Sequence, residues 1–152
     1  MTDKVKHIPD GYHTVTPYLI VHDAAAIDFY KRAFEAKEVL RIEHGGKVGH
    51  AEIQIADSRL MLASEHPEMG ARSARSIGGS PVGLVLYVGD VDGWVARAAS
   101  LGAKILRPVE DKFYGDRMGS IEDPFGLQWH VATHIEDVSP EELQKRAAAV
   151  PA

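Results

Sequence analysis

Residues 16–66 lie over residues 83–133 without a gap at a constant shift of 67, and this internal repeat restricts the fold more than any other feature of the chain. "TPYLIVHDAAAIDFYKRAFEAKEVL" falls on "GLVLYVGDVDGWVARAASLGAKILR". Val21 meets Val88, Asp23 meets Asp90, Ala36 and Lys37 meet Ala103 and Lys104, Glu43 meets Glu110, and Leu60 meets Leu127. The identities are few, and the shared pattern of elements is the stronger argument. Each half opens on a strand-like run, "TVTPYLIV" or "VGLVLYV", rich in β-branched and aromatic residues. Asp23 or Asp90 follows as a helix N-cap. Ile27, Tyr30 and Phe34 form the apolar stripe of the first helix, and Trp94, Ala98 and Leu101 that of the second. Gly102 suits the left-handed position after a helix, where the first half carries Glu35. Three strand-like segments complete each half: "AKEVLRIEH", "VGHAEIQIA" and "SRLMLAS", then "AKILRPVE", "MGSIED" and "LQWHVATH". The expected fold is α+β, with two tandem βαβββ modules over residues 12–66 and 82–135.

The remaining segments fit around this plan. Residues 67–81 read as a linker loop, part of a Gly-, Ser- and Arg-rich stretch that starts at Glu65. Its Arg72 and Arg75 either meet an anionic ligand or stay solvated. "VSPEELQKRAAAV" predicts a C-terminal helix over 139–150, with Ser139 as cap, Pro140 in the first position and Glu142 completing a capping box. All 152 residues suit one domain built from the two modules. A net charge of −5 argues against a nucleic-acid partner, which would require a basic face. No apolar run is long enough to span a membrane, and "MTDKVKHIPDGYH" has no signal-like apolar stretch. The absence of cysteine removes disulfides, thiolate nucleophiles and Cys-ligated zinc, and agrees with a cytoplasmic location. No nucleophile elbow, P-loop or dinucleotide-binding glycine pattern occurs.

"TPYLIVHDAAAIDFYKRAF", "HAEIQIADSRLML", "LYVGDVDGWVARAASLGA" and "RPVEDKFYGDRMGSIEDPFGLQW" resemble the vicinal oxygen chelate superfamily. Within it, they resemble the PhnB-like branch grouped with glyoxalase I and bleomycin-resistance proteins. The resemblance covers residues 12–135. It implies paired βαβββ modules curving as a partly open, barrel-like sheet around a shared concave site, often in homodimers. The fold serves isomerases, dioxygenases, epoxide-opening transferases and non-enzymatic drug binders, so fold alone does not choose a function. In metal-using members, the resemblance places four ligands on the first and last strands of each module. Those positions fall here on Thr16, Ala63, Gly83 and His130. One imidazole beside a threonine, an alanine and a glycine does not make a divalent-metal site, so no metal and no cofactor are expected. A register slip would bring in His13 or Glu65 as alternative donors. Relatives of this branch often carry histidine where this chain has Val85, and a smaller polar residue where it has His130.

Strand alternation supplies the rest of the candidate site. Thr16, Tyr18 and Ile20 share a face opposite Leu19 and Val21. Val85 and Tyr87 oppose Leu84, Leu86 and Val88, and Gln128 and His130 oppose Leu127 and Trp129. His50, Glu52 and Gln54 form a polar face that is either wet sheet surface or cavity wall. In "FYGDR", Tyr114 offers a ring for stacking and Arg117 a clamp for a carboxylate or phosphate, or else Arg117 pairs with Asp116 or Glu122. The candidate ligand-binding set is Tyr18, His50, Tyr87, Tyr114, Arg117, Gln128 and His130. His130 and Glu52 form an acid–base pair if they converge. A small-molecule binder acting by sequestration is the leading reading. A metal-dependent lyase, isomerase or dioxygenase, and a metal-free enzyme using His130, are the alternatives.

Overall fold

The computed structural model describes residues 4–151. The chain divides into two compact units, residues 1–78 and 79–152, each built on the same plan. In the first, β1 (Tyr18–Val21) leads into α1 (Ala25–Phe34), followed by β2 (Lys37–His44), β3 (Lys47–Ile55) and β4 (Ser58–Ser64). β1 pairs parallel to β4, and β3 pairs antiparallel to both β4 and β2, giving the order β1-β4-β3-β2. The second unit repeats this with β5 (Gly83–Tyr87), α3 (Val91–Ser100), β6 (Lys104–Asp111), β7 (Asp116–Glu122) and β8 (Gln128–His134), in the order β5-β8-β7-β6. Both four-stranded sheets are mixed, and the architecture is the expected α+β double βαβββ. No helix is long and apolar enough to cross a membrane among the described residues.

The first unit's core follows the sequence periodicity. Ile27, Tyr30 and Phe34 are fully buried, and Leu19, Val21, Ala51, Ile53, Leu60 and Leu62 project from the sheet beneath α1. Tyr30 stacks on Phe34 with centroids 5.9 Å apart. In the second helix the buried stripe is Val91, Val95 and Ala98 rather than the expected Trp94, Ala98 and Leu101. Spacings of four and three residues bring the two valines onto the face with Ala98, which leaves Trp94 half-exposed under the Arg97 guanidinium at 5.0 Å.

The helix starts also differ. Asp90 accepts from the Gly93 N–H as an ordinary cap. Asp23 instead accepts from the Ala25 N–H at 2.8 Å, one residue earlier than a capping bond to the first turn, and Ala24 occupies the cap position. Glu35 takes the left-handed conformation, φ 56°, as its alignment with Gly102 (φ 109°) implies.

Residues 65–81 are more ordered than a plain linker. They contain a 3-10 turn (Pro67–Met69) and a short helix α2 (Ala74–Ile77). The Glu65 carboxylate accepts from the Ser73 N–H at 3.0 Å and the Ser76 hydroxyl at 2.6 Å. Those bonds, the Ser73 interaction foremost, hold its pKa down at about 2. Arg75 reaches His22 at 2.8 Å, while Arg72 is exposed. At the end of the chain, α4 (Pro140–Ala149) begins with Ser139 accepting from the Glu142 N–H. The Glu142 carboxylate does not close a capping box but takes Arg146 one turn on. Arg146 also pairs with Glu136 and donates to the Phe113 carbonyl, tying α4 to the second unit.

Candidate functional site

His130 sits in the middle of β8, and ladder registers put Val85 on one side of it, Ser120 on the other and Arg107 beyond Ser120. Alternation sends the neighbouring Trp129 and Val131 into the core, so His130 projects from the opposite face. Its Nδ1 lies 2.7 Å from the Ser120 Oγ. Its Nε2 lies over Gly83, where an added Cβ would stand only 2.8 Å away, so the glycine makes room for the imidazole. The ring opens onto a cavity of about 470 Å³ that Arg107, Lys112, Phe113, Tyr114, Met118 and Ser120 help to line, with Val150 at the end of α4. Phe113 and Tyr114 meet edge to face at 5.3 Å, and the Tyr114 hydroxyl donates to the Met118 sulfur at 3.4 Å. The wall is therefore aromatic and soft on one side and polar on the other, the usual make-up of a small-molecule pocket.

Tyr87 and Gln128 share this face of the sheet but point to other partners. The Tyr87 hydroxyl donates to buried Asp116 at 2.8 Å, a bond that raises the tyrosine pKa. Asp116 also holds His134 Nδ1 at 2.8 Å, and His134 Nε2 reaches Asp137 at 2.7 Å. Asp137 first, then Asp116, raises the His134 pKa above its ordinary value. Gln128 stands at the row's end, opposite Gly83 and Glu122. Arg117 projects from the other face. Its guanidinium grips Asp92 of α3 with two bonds, at 2.8 and 2.9 Å, and Asp111 at 3.0 Å. Neither Asp116 nor Glu122 is its partner. Asp116 lies one residue away on a strand, so its side chain leaves on the opposite face.

The first unit carries a separate polar network. Tyr18 donates to His50 Nδ1 at 2.8 Å, His50 Nε2 meets Glu52 Oε2 at 2.9 Å, and Tyr12 donates to the other Glu52 oxygen. Tyr12 foremost, then His50, holds the Glu52 pKa below the usual carboxylate range. Burial foremost raises both tyrosines, followed by the hydrogen bond to Glu52 at Tyr12 and by the Glu52 charge at Tyr18. An ionised Glu52 accepts a hydrogen bond from Nε2–H, which leaves Nδ1 to accept from Tyr18. The His50–Glu52–Gln54 face is thus half-buried and internally bonded rather than freely hydrated. Glu52 and His130 each have their partner within their own unit: His50 and Tyr12 for one, Ser120 for the other.

No group of three or more His, Asp or Glu side chains comes together to hold an ion among the described residues. His130 has Val85, Gly83 and a serine hydroxyl around it, and Glu65 is taken up by Ser73 and Ser76. His13 is exposed in the segment before β1. The repeat-mate of His130 also differs from the one expected. Ser120 faces His130 as Glu52 faces Met61, so Met61, not Ala63, occupies the equivalent place.

Alternation identified His130, Tyr87 and Gln128 as sharing a face, but it did not bring in Ser120, Met118 or Arg107. Counting back along "DRMGSIE" in steps of two, against the strand that holds His130, supplies the first two. Arg107 required the irregular register of β6. Asp123, which the sequence reading gives no role, is part of the local framework. It is a buried anchor, accepting from the Phe125 and Leu127 N–H groups and from the Trp129 indole.

Residues 13–131 match the protein family described as the Glyoxalase/Bleomycin resistance protein/Dioxygenase superfamily. An uncharacterized protein of Mycobacterium bovis is 41% identical over 135 residues, covering 86% of this chain and 89% of its own length. Among solved structures, TioX from a Micromonospora species is 25% identical with a TM-score of 0.64, over 82% of this chain and 100% of that one. An Arabidopsis thaliana gene product is 28% identical with a TM-score of 0.63, over 80% of this chain and 98% of that one.

Proposed function

Since the chain belongs to the glyoxalase/bleomycin resistance protein/dioxygenase superfamily, we propose that it is a member that binds a small, partly apolar molecule without a metal and acts by sequestering it. The observation that carries this reading is the cavity of about 470 Å³ at His130, with Phe113, Tyr114 and Met118 on one side and Ser120 and His130 on the other. Its size suits a small ligand. The donor set argues for metal-free binding, because His130 lacks a second strong ligand in its surroundings. The motifs around "DPFGLQW" support placement in the PhnB-like branch, and membership of the superfamily supports a homodimer.

Mass spectrometry of small molecules released by denaturing the purified protein tests the proposal directly. A single retained compound, recovered unaltered after rebinding, is the expected result. Replacing His130→Ala should weaken its binding by about 1–3 kcal/mol, the usual loss when a buried polar contact is left unpaired. Conversion of the compound would instead favour His130 as an acid–base residue held in place by Ser120. Near-stoichiometric Zn, Ni, Fe or Mn in protein purified without a chelating tag would overturn the metal-free reading.

A further inference from the structure

The polar wall of the second-unit cavity carries Arg107 and Lys112 beside Glu110 and Asp111. Glu110 is paired with Lys112, an interaction that lowers the glutamate's pKa, and Asp111 is paired with Arg117. Glu110 therefore has a cation of its own, whereas Asp111 shares Arg117 with Asp92. Arg107 has no hydrogen bond or ion pair among the described residues. It is nonetheless held in register, directly opposite Ser120, whose hydroxyl is bonded to His130. Irregularities in the β6–β7 ladder fall on both sides of it, between Ile105 and Arg107 and between Arg107 and Glu110. Pro108, which has no N–H to give to a ladder, lies within the second of these. Such bulges turn a strand locally and re-aim its side chains. Here they keep both Arg107 and Glu110 on the cavity face.

We propose that the cavity selects a small oxyanion carrying a flat or apolar body, with Arg107 and the Ser120–His130 pair receiving the anionic group and Phe113, Tyr114 and Met118 the body. This rests on the small-molecule reading above and names the ligand's chemistry. A guanidinium presents a fork of N–H donors that matches a carboxylate or phosphonate, and the absence of a partner among the described residues leaves that fork available. Aromatic and thioether groups at the other end supply the apolar contact.

The test is an NMR titration of the full chain with phenylphosphonate, phenylacetate, benzyl alcohol and methylphosphonate, reading the resonances of Ser120, His130 and Tyr114. Phenylphosphonate and phenylacetate should bind at least tenfold more tightly than benzyl alcohol and than methylphosphonate. Arg107→Gln should remove the advantage of the anions while leaving benzyl alcohol unchanged. Lys37→Gln, which removes a charge from the first unit, should leave that advantage intact. Equal binding of benzyl alcohol and the aromatic anions at these resonances would overturn the ligand class but leave the small-molecule reading standing. Anion preference that survives in Arg107→Gln would overturn the role of Arg107. If none of the four probes perturbs the cavity, the ligand class falls, and the compound released on denaturation decides separately whether the site binds small molecules.

Discussion

The end of α1 offers a quantitative check on the backbone. Glu35 adopts φ 56° and ψ 31°, and its N–H and that of Ala36 both turn back to the Tyr30 carbonyl. A residue with a Cβ pays about 1–2 kcal/mol for this left-handed conformation. Glycine avoids that cost but loses more freedom on folding, about 0.5–1 kcal/mol relative to alanine. Removing a carboxylate from the negative end of a helix adds a few tenths of a kcal/mol in favour of the variant. The exposed interactions of Glu35 that are lost subtract a similar amount. Glu35→Gly should therefore stabilise the protein by about 0.5–1 kcal/mol, which for a chain of this length is a rise in Tm of about 1–4 °C. Glu35→Ala keeps the backbone cost and loses the same side chain, so it should show no such gain. Urea unfolding of both variants beside the wild type, read by circular dichroism, gives the difference. Equal midpoints for the glycine and alanine variants would refute the reasoning, as would a lower midpoint for glycine.

Three further outcomes follow from single contacts, and a fourth from the proposed homodimer. Gly83→Ala would place a Cβ 2.8 Å from His130 Nε2, so the ring must move and the Ser120 bond should weaken; unchanged His130 imidazole resonances would disprove this. Asp123→Ala leaves three buried N–H donors without their acceptor and should cost about 3 kcal/mol or more in urea unfolding, with red-shifted Trp129 fluorescence. Glu65, with its pKa lowered from 4.5 to about 2, contributes stability that is fully present above pH 4.5 and is lost as pH falls through about 2. Glu65→Gln should accordingly flatten the acid limb of the stability profile, and an unchanged limb would assign that limb to other carboxylates. Sedimentation equilibrium at roughly tens of micromolar, where an interface of standard size should be occupied, should give the dimer mass, and a monomer mass would remove the homodimer.

The fold was legible because two periodicities and a repeat agreed. Alternation along "SRLMLAS" marks Leu60 and Leu62 as buried, and the helical spacing of Ile27, Tyr30 and Phe34 marks one face of α1; all five are in the core. The second helix was harder because tryptophan is large and apolar enough to be taken as core. Its ring lies under the Arg97 guanidinium instead, an arrangement that spacing does not reveal. The site was legible only one strand at a time. Alternation finds the face that carries His130, but the partner across the ladder depends on register, and register depends on loop lengths. The same limit applied to Arg117. "FYGDR" has the right residue types for a ligand clamp, yet the arginine leaves the sheet on the side of Asp92.

Loop length also explains why the two halves share a fold but not a site. Equivalent positions are 67 residues apart in β1 and β5, as with Ile20 and Tyr87, which pair with Ala63 and Ala132. In β3 and β7 the separation is 68, as with Ile53 and Ile121, and in β4 and β8 it is 69, as with Leu60 and Trp129. Ile55 and Ser58 close the first hairpin around two residues, whereas Asp123 and Leu127 close the second around three. One added residue before β7 sets Ser120 at the place of Glu52, and the second, in this hairpin, moves His130 to the place of Met61. In the first unit Glu52 faces a thioether across the ladder and turns along its own strand to His50, while in the second a short hydroxyl reaches straight across to an imidazole. A carboxylate bonded to a histidine and a tyrosine offers no vacant cation, whereas the row from Arg107 to His130 does. An anionic ligand should therefore be held once per chain, in the second unit, with the repeat supplying the scaffold twice and the binding chemistry once.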